Sequence, residues 1–211
     1  MKTTATRTKP NKALAAFKSL LTLGAAVLAS LFATLASADT FKFASGSAYI
    51  DLPIEQCWEK LSYFGSAHNY VQNLTGTTIT TDAQNGIGAS RIVHHESAGE
   101  INETIIFWQE GAGFTIRLHR GEKDGVGGPI QKAMFTYLLE TEGSGTRATL
   151  TMQYQLGWGW LGSKLGDWFI HDMMVSTNED TAMALAHYYE TEEPVTPEIF
   201  EQLKAARDKN N

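Results

Sequence analysis

The residues best suited to chemistry sit in Ser90-Arg91-Ile92-Val93-His94-His95 and, across a turn, in the stretch EINETIIFWQE that begins at Glu100. Both stretches read as strands, and a turn at Ser97-Ala98-Gly99 joins them into a hairpin. His95 then lies opposite or diagonal to Glu103, with Arg91 one step further along. Three chemistries are open to this group. Arg91 and Glu103 would form a cross-strand ion pair, because an unpaired buried charge is very costly. Arg91 or His95 would hold a carboxylate, phenol or carbonyl of a ligand. His95 beside Glu103 would act as a general base if poised near neutrality. A metal centre is not expected. His94 and His95 are adjacent and face opposite sides of a strand, and His68, His119, His171 and His187 show neither HxH nor HExxH spacing. No GxSxG, Walker loop or glycine fingerprint is present, and GVGGP precedes a strand, so it reads as a flexible loop and not a phosphate cradle. No cofactor is therefore expected. Asn73-Leu74-Thr75 and Asn102-Glu103-Thr104 match the glycosylation pattern, but such short matches arise by chance. Asp172 and Glu179 read as a solvated edge of a long helix.

The chain has 211 residues, and its start reads as a leader. Lys2, Arg7, Lys9, Lys12 and Lys18 precede the uncharged run Leu20 to Ala38, which ends in Ala36-Ser37-Ala38. Basic, apolar, then small is the pattern of a secretory signal peptide over residues 1–38. Export, to a bacterial periplasm, is the expectation; an uncleaved membrane anchor is the alternative on length. Cleavage would remove five of the 17 Lys and Arg and none of the 23 acids, so 12 bases against 23 acids leave a net charge of −11. Such a surface repels nucleic acid and anionic headgroups. Neither nucleic-acid binding nor stable membrane insertion after cleavage is expected, and the oligomeric state is left open. Cys57 is the one cysteine and reads as a small buried hydrophobe on a helix face with Ile54, Trp58 and Leu61.

The elements that position the hairpin follow from pattern. TFKFASGSAYIDL is a strand, Pro53 opens a short helix, and YFGSAHNYVQNL reads as a second. A series of strands with tight glycine turns follows, which is an antiparallel meander. Alternation is clearest at Ala148, Leu150, Met152, Tyr154 and Leu156. A long helix spans about Lys164 to Glu190; in its first half Trp168, Phe169, Ile170, Met173, Met174 and Val175 cover most of the circumference, so burial on more than one side is expected. A tail helix begins with Thr196 as N-cap and Pro197 in its first turn. Trp158, Trp160 and Trp168 crowd the link between last strand and long helix, where Gly157, Gly159 and Gly162 permit a sharp turn. They would cap a cavity or seal the core; membrane contact is a third reading.

This order of elements resembles the helix-grip fold of the START/Bet v 1 (SRPBCC) superfamily over about Phe41 to Glu190. The resemblance rests on IDLPIEQCWEKLSYFGSAHNYV, GIGASRIV, GEINETIIFWQE and GSGTRATLTMQYQL, with Gly88, Arg91, Gly99, Glu103 and Gly145-Thr146 in the family's order. It implies an α+β fold: a curved antiparallel sheet wrapped around a long C-terminal helix, with two short helices after the first strand. The domain would span 39–190, with a tail at 191–211. Members include lipid carriers, polyketide cyclases and dehydrases, and plant hormone receptors, so the fold implies a cavity and not a chemistry. By resemblance to the abscisic-acid receptors, Glu103 would face that cavity. Strand alternation then extends the wall to Ile101, Ile105 and Phe107, and to Arg91, Val93 and His95. Phe114, Ile116 and Leu118 follow, then Phe135, Tyr137 and Leu139, then Leu150, Met152 and Tyr154. The resulting expectation is an exported protein that binds a hydrophobic or amphipathic small molecule or lipid, or alternatively a cyclase/dehydrase-like enzyme using the same cavity.

Overall fold

The computed structural model describes the backbone of residues 41–157 and 164–210 and the side chains of 41–157 and 168–209. The leader, Trp158, Gly159, Trp160 and Gly162 lie outside the described residues. The elements in order are β1 (Lys42–Ile50), α1 (Ile54–Ser62), a 3-10 turn (Ala67–Asn69), β2 (Leu74–Ile79), β3 (Ser90–His95), β4 (Gly99–Gln109), β5 (Gly113–Arg120), β6 (Lys123–Asp124), β7 (Ile130–Glu142), β8 (Gly145–Leu156), α2 (Lys164–Thr191) and α3 (Pro197–Asn210). The strands form one antiparallel sheet in the order β1-β8-β7-β5-β4-β3-β2, with the short β6 paired to β5. This is the helix-grip α+β fold.

Local chemistry explains the details. Pro53 precedes α1 with φ −56°, and the helix buries Cys57, Trp58 and Leu61 on one face. The second short helix contracts to the single 3-10 turn. Tyr70 leaves helical geometry at φ −140°, and Asn73 takes a left-handed φ of 60°, so the chain cannot continue winding. The glycine-rich loop is tied down. Arg120 donates from Nε to Val126 O, from Nη1 to Glu100 O and from Nη2 to Ala98 O. At the start of α3, Thr196 Oγ1 accepts from Ile199 N at 3.3 Å, as an N-cap should, and Phe200 is buried.

Two contacts fix the layers. Glu110 accepts from Trp58 Nε1 at 3.0 Å and from Trp108 Nε1 at 2.9 Å, which holds α1 against the end of β4. The two indoles meet edge to face, 4.9 Å apart, and Trp108 stacks on Phe114. On the other side, α2 crosses β1 at Gly46. A β-carbon there would lie 2.2 Å from Glu179 N and 2.3 Å from the Asn178 carbonyl carbon. Asn178, itself buried, donates from Nδ2 to Ala44 O at 2.7 Å. Beyond this contact Ala182, Ala184, Leu185, Ala186 and Tyr189 are buried. The start of α2 differs from expectation: Ile170 is buried, but Trp168 and Phe169 are 67% and 63% exposed. No helix among the described residues is long and apolar enough to cross a membrane.

Two predictions follow from these contacts. Gly46→Ala forces a methyl into helix backbone, so its unfolding midpoint in urea should fall by the equivalent of about 3 kcal/mol or more. An unchanged midpoint would show that α2 is free to shift. The hydrogen bonds from Trp58 and Trp108 hold the Glu110 carboxyl below its ordinary value of 4.5. A lowered native pKa stabilises above the unfolded value and is lost as pH falls through the folded one. Wild type should therefore lose stability on acidification below 4.5 more steeply than Glu110→Gln; parallel urea midpoints across that range would exclude the clasp.

Candidate functional site

The site is built around Arg91. The β3–β4 register pairs Arg91 with Glu103 directly and places His95 opposite Gly99, at the turn. The reading that set His95 opposite or diagonal to Glu103 is thus corrected: the residue facing His95 lies four positions before Glu103. Arg91 is 2% exposed. It donates from Nε to Glu103 Oε2 at 2.6 Å, and its Nη2 lies 2.6 Å from the same oxygen. Its Nη1 donates to Phe64 O, and its guanidinium lies 4.0 Å from the centroid of the Phe64 ring. Burial, the largest influence, works against the charge, but Glu103 together with Tyr137 and Tyr70 raises the Arg91 pKa overall. The pair is therefore a closed ion pair.

Arg91 also marks a boundary in the space between sheet and α2. On one side the space is filled by rings: Phe64 meets Phe114 at 5.7 Å, and Phe114 meets Tyr137 at 5.0 Å and Trp108 at 5.6 Å. On the other side is a cavity of about 430 Å³. Of the expected wall, Arg91, Val93, His95, Ile101, Glu103, Ile116, Leu118, Phe135, Tyr137 and Met152 line it. Five expected wall residues and Phe107 do not. Ile105, Phe114, Leu139 and Leu150 are buried in the filled half. Tyr154 is fully buried with its hydroxyl 3.5 Å from His171 Nδ1 on α2. Phe107 points outward and is 54% exposed, because the β4–β5 register shifts between Ile105 and Phe107. That bulge reverses the alternation, so Trp108 takes the inward place opposite Phe114.

The rest of the wall comes from segments where sequence pattern is weak. Ala67, Val71 and Leu74 contribute from the 3-10 turn and β2, Val126 from the glycine-rich loop, and Met173, Met174, Thr177, Asn178, Asp180 and Thr181 from α2. The spacing of the α2 residues is the signal for one helix face, but their mixed polarity hides it. Asp180 is held by Arg207 of α3, Nη1 to Oδ1 at 2.7 Å. Asp172 and Glu179 are exposed, as a solvated edge requires.

The remaining polar groups have defined states. The backbone N–H groups of Ser97 and Ala98 both donate to His95 Nδ1 at 3.2 Å. A backbone N–H can only donate, so Nδ1 is an acceptor and the neutral ring carries its proton on Nε2. The Tyr70 hydroxyl points at that of Tyr137 at a long 3.5 Å. Burial pushes the Tyr137 phenol well above its ordinary value, which keeps it neutral. Among the described residues no cluster of three or more His, Cys, Asp and Glu is placed to hold a metal ion.

Removing one member of the buried pair should cost more than removing both. Glu103→Leu leaves Arg91 unpaired and should lose about 3–5 kcal/mol, whereas Arg91→Met/Glu103→Leu should recover much of that. Denaturant titration of the two single variants and the double variant checks it; additive losses would mean that the two side chains act separately.

No protein-family model matches this sequence, and no curated protein matches it at a significant level. Solved structures do match. Ara h 8.0201 aligns with a TM-score of 0.53 at 12% identity, covering 71% of this chain and 98% of that one. Zhui aromatase/cyclase from Streptomyces sp. R1128 aligns at 0.54 and 14% identity, covering 72% and 94%. A START superfamily protein from Mycobacterium smegmatis aligns at 0.55 and 13% identity, covering 72% and 99%. At such identities the likeness concerns the backbone arrangement, and that arrangement is the START/Bet v 1-like helix-grip fold.

Proposed function

We propose that this chain is an exported binding protein that holds a hydrophobic or amphipathic small molecule between the sheet and α2. The observation that carries this reading is the cavity of about 430 Å³, whose wall is mainly Val71, Val93, Ile101, Ile116, Leu118, Phe135 and three methionines, with a few fixed polar groups. Apolar area gives affinity and a few polar groups give orientation, which is the usual build of a small-molecule site. Met152, Met173 and Met174 are unbranched and polarisable, so this part of the wall can adapt to a ligand's shape. Export is supported by the basic start, the uncharged run and Ala36-Ser37-Ala38.

The aromatase/cyclase among the structural neighbours keeps an enzymatic reading in view. A general base in the cavity would need an unprotonated acceptor free to take a proton. His95 Nδ1 already accepts two backbone N–H groups, and Glu103 is paired with Arg91. This favours binding over proton transfer.

Nile red titration of the intact chain tests the proposal. Saturable one-to-one binding is expected, and Met152→Trp, which fills the cavity, should weaken it about tenfold with little change in thermal midpoint. Absence of saturable binding, or binding unaffected by the tryptophan, would overturn it. Native mass spectrometry of protein from its own cells should show a chain beginning at Asp39 with a co-purifying apolar compound; a chain that retains residues 1–38 would refute cleavage.

A further inference from the structure

We infer that the cavity selects uncharged amphipathic molecules and rejects carboxylates, with His95 supplying a neutral hydrogen-bond donor from its wall. The inference rests on cavity binding as proposed above and concerns which ligands that cavity takes. Among the described residues lining it, Arg91 and His95 are the basic ones, and Glu103 and Asp180 the acidic ones. Arg91 is the group that a ligand carboxylate would seek, and it is already spent. Its Nε and Nη2 are on Glu103 Oε2, and its Nη1 is on Phe64 O. Asp180 is balanced by Arg207 from outside the wall. The cavity thus holds a neutral set of charges with no cation to spare.

Glu103 makes the discrimination sharper. Every contact described for its carboxylate falls on Oε2, so Oε1 is the oxygen left to meet a ligand. The residue is 8% exposed, so water screens it little. A ligand carboxylate would be desolvated beside a like charge, with no counter-ion of its own. A hydroxyl could instead donate to Oε1. Tyr137 adds a donor. Its oxygen faces the Tyr70 hydroxyl, and its own proton is uncommitted among the described contacts.

His95 sets the chemistry at the other end. Its Nδ1 is fixed as acceptor by two turn N–H groups, so Nε2–H is a donor. The same turn carries Ala98, whose carbonyl is held by Arg120 and whose side chain is part of the wall. The donor therefore sits on a braced part of the wall. An ester, ketone or ether oxygen suits it. One acceptor and two neutral donors along an apolar wall describe an alcohol, ester or ketone, not an acid.

The experiment is competition for bound Nile red on the intact chain by a matched series: 1-dodecanol, methyl dodecanoate and sodium dodecanoate, at neutral pH and below micelle formation. The alcohol and the ester should displace the dye at concentrations at least about tenfold lower than the carboxylate. Glu103→Gln, which frees the charge on Arg91, should shift the preference toward the carboxylate by about tenfold or more. His95→Phe should weaken the ester severalfold, and His95→Gln, whose amide can both accept and donate, should restore it in part. A carboxylate that competes as well as the alcohol on wild type overturns the inference, as does a bound dye that none of the three displaces. Failure of the dye itself to bind removes the binding proposal, and this inference with it. If Glu103→Gln does not fold, the wild-type series alone decides the charge preference.

Discussion

A guanidinium that is 2% exposed must be satisfied from within the chain, and Arg91 draws its partners from two separate segments. Glu103 comes from the neighbouring strand, in direct register. The carbonyl and the ring of Phe64 come from the chain just after α1. Leaving such a charge unpaired would cost several kcal/mol, a large share of the stability of a domain this size. The pair therefore does more than link two strands. It pins the α1 segment over the sheet at one place, and that place divides the interior. Rings fill the space on one side, and on the other the space stays open as the cavity.

The helix side of the cavity depends on a second constraint. Gly46 lets the backbone of α2 approach β1 closer than any side chain would permit, and Asn178 fastens it there. From that pivot, the small side chains of Ala182, Ala184 and Ala186 keep the later turns of α2 close-packed and buried. The earlier turns present Met173, Met174 and Thr177 to the cavity. One rigid helix can thus seal the core along half its length and roof an open space along the rest. The tail helix reinforces the arrangement, because Arg207 reaches back to Asp180 on the cavity wall.

Much of this was legible in the sequence, for reasons that can be named. Alternation along β8 placed Ala148, Leu150, Met152 and Tyr154 on the inner face, and period-two alternation is a direct consequence of strand geometry. Pro53 and the face of Cys57, Trp58 and Leu61 marked α1. Two of the misses depend on a break in periodicity. The bulge between Ile105 and Phe107 inserts one residue, leaves no mark in composition, and turns Phe107 outward. Asn73 ends a helix-like stretch by its backbone angle alone. The boundary between wall and filled core is also invisible to alternation, since Ile105 and Ile116 face the same way and only Ile116 reaches the cavity. Glu110 carried no motif, yet it organises two tryptophans far apart in sequence.

Packing alone does not account for the ion pair at the centre of this design. Leu or Met at positions 91 and 103 would fill similar space without the desolvation that a buried charge pair incurs, and such replacements are often neutral or stabilising. What an apolar pair could not supply is a polar floor. Arg91 neutralises Glu103 while leaving one carboxylate oxygen without a described partner, at the edge of an otherwise apolar wall. An isolated carboxylate there would take up a proton or draw in water. An isolated arginine would make an anion site. Held together, they give a fixed acceptor with no net charge, and the neutral hydroxyl of Tyr137 lies on the same wall. The cost of burying the pair is then the cost of keeping one oriented hydrogen-bonding point inside an apolar space.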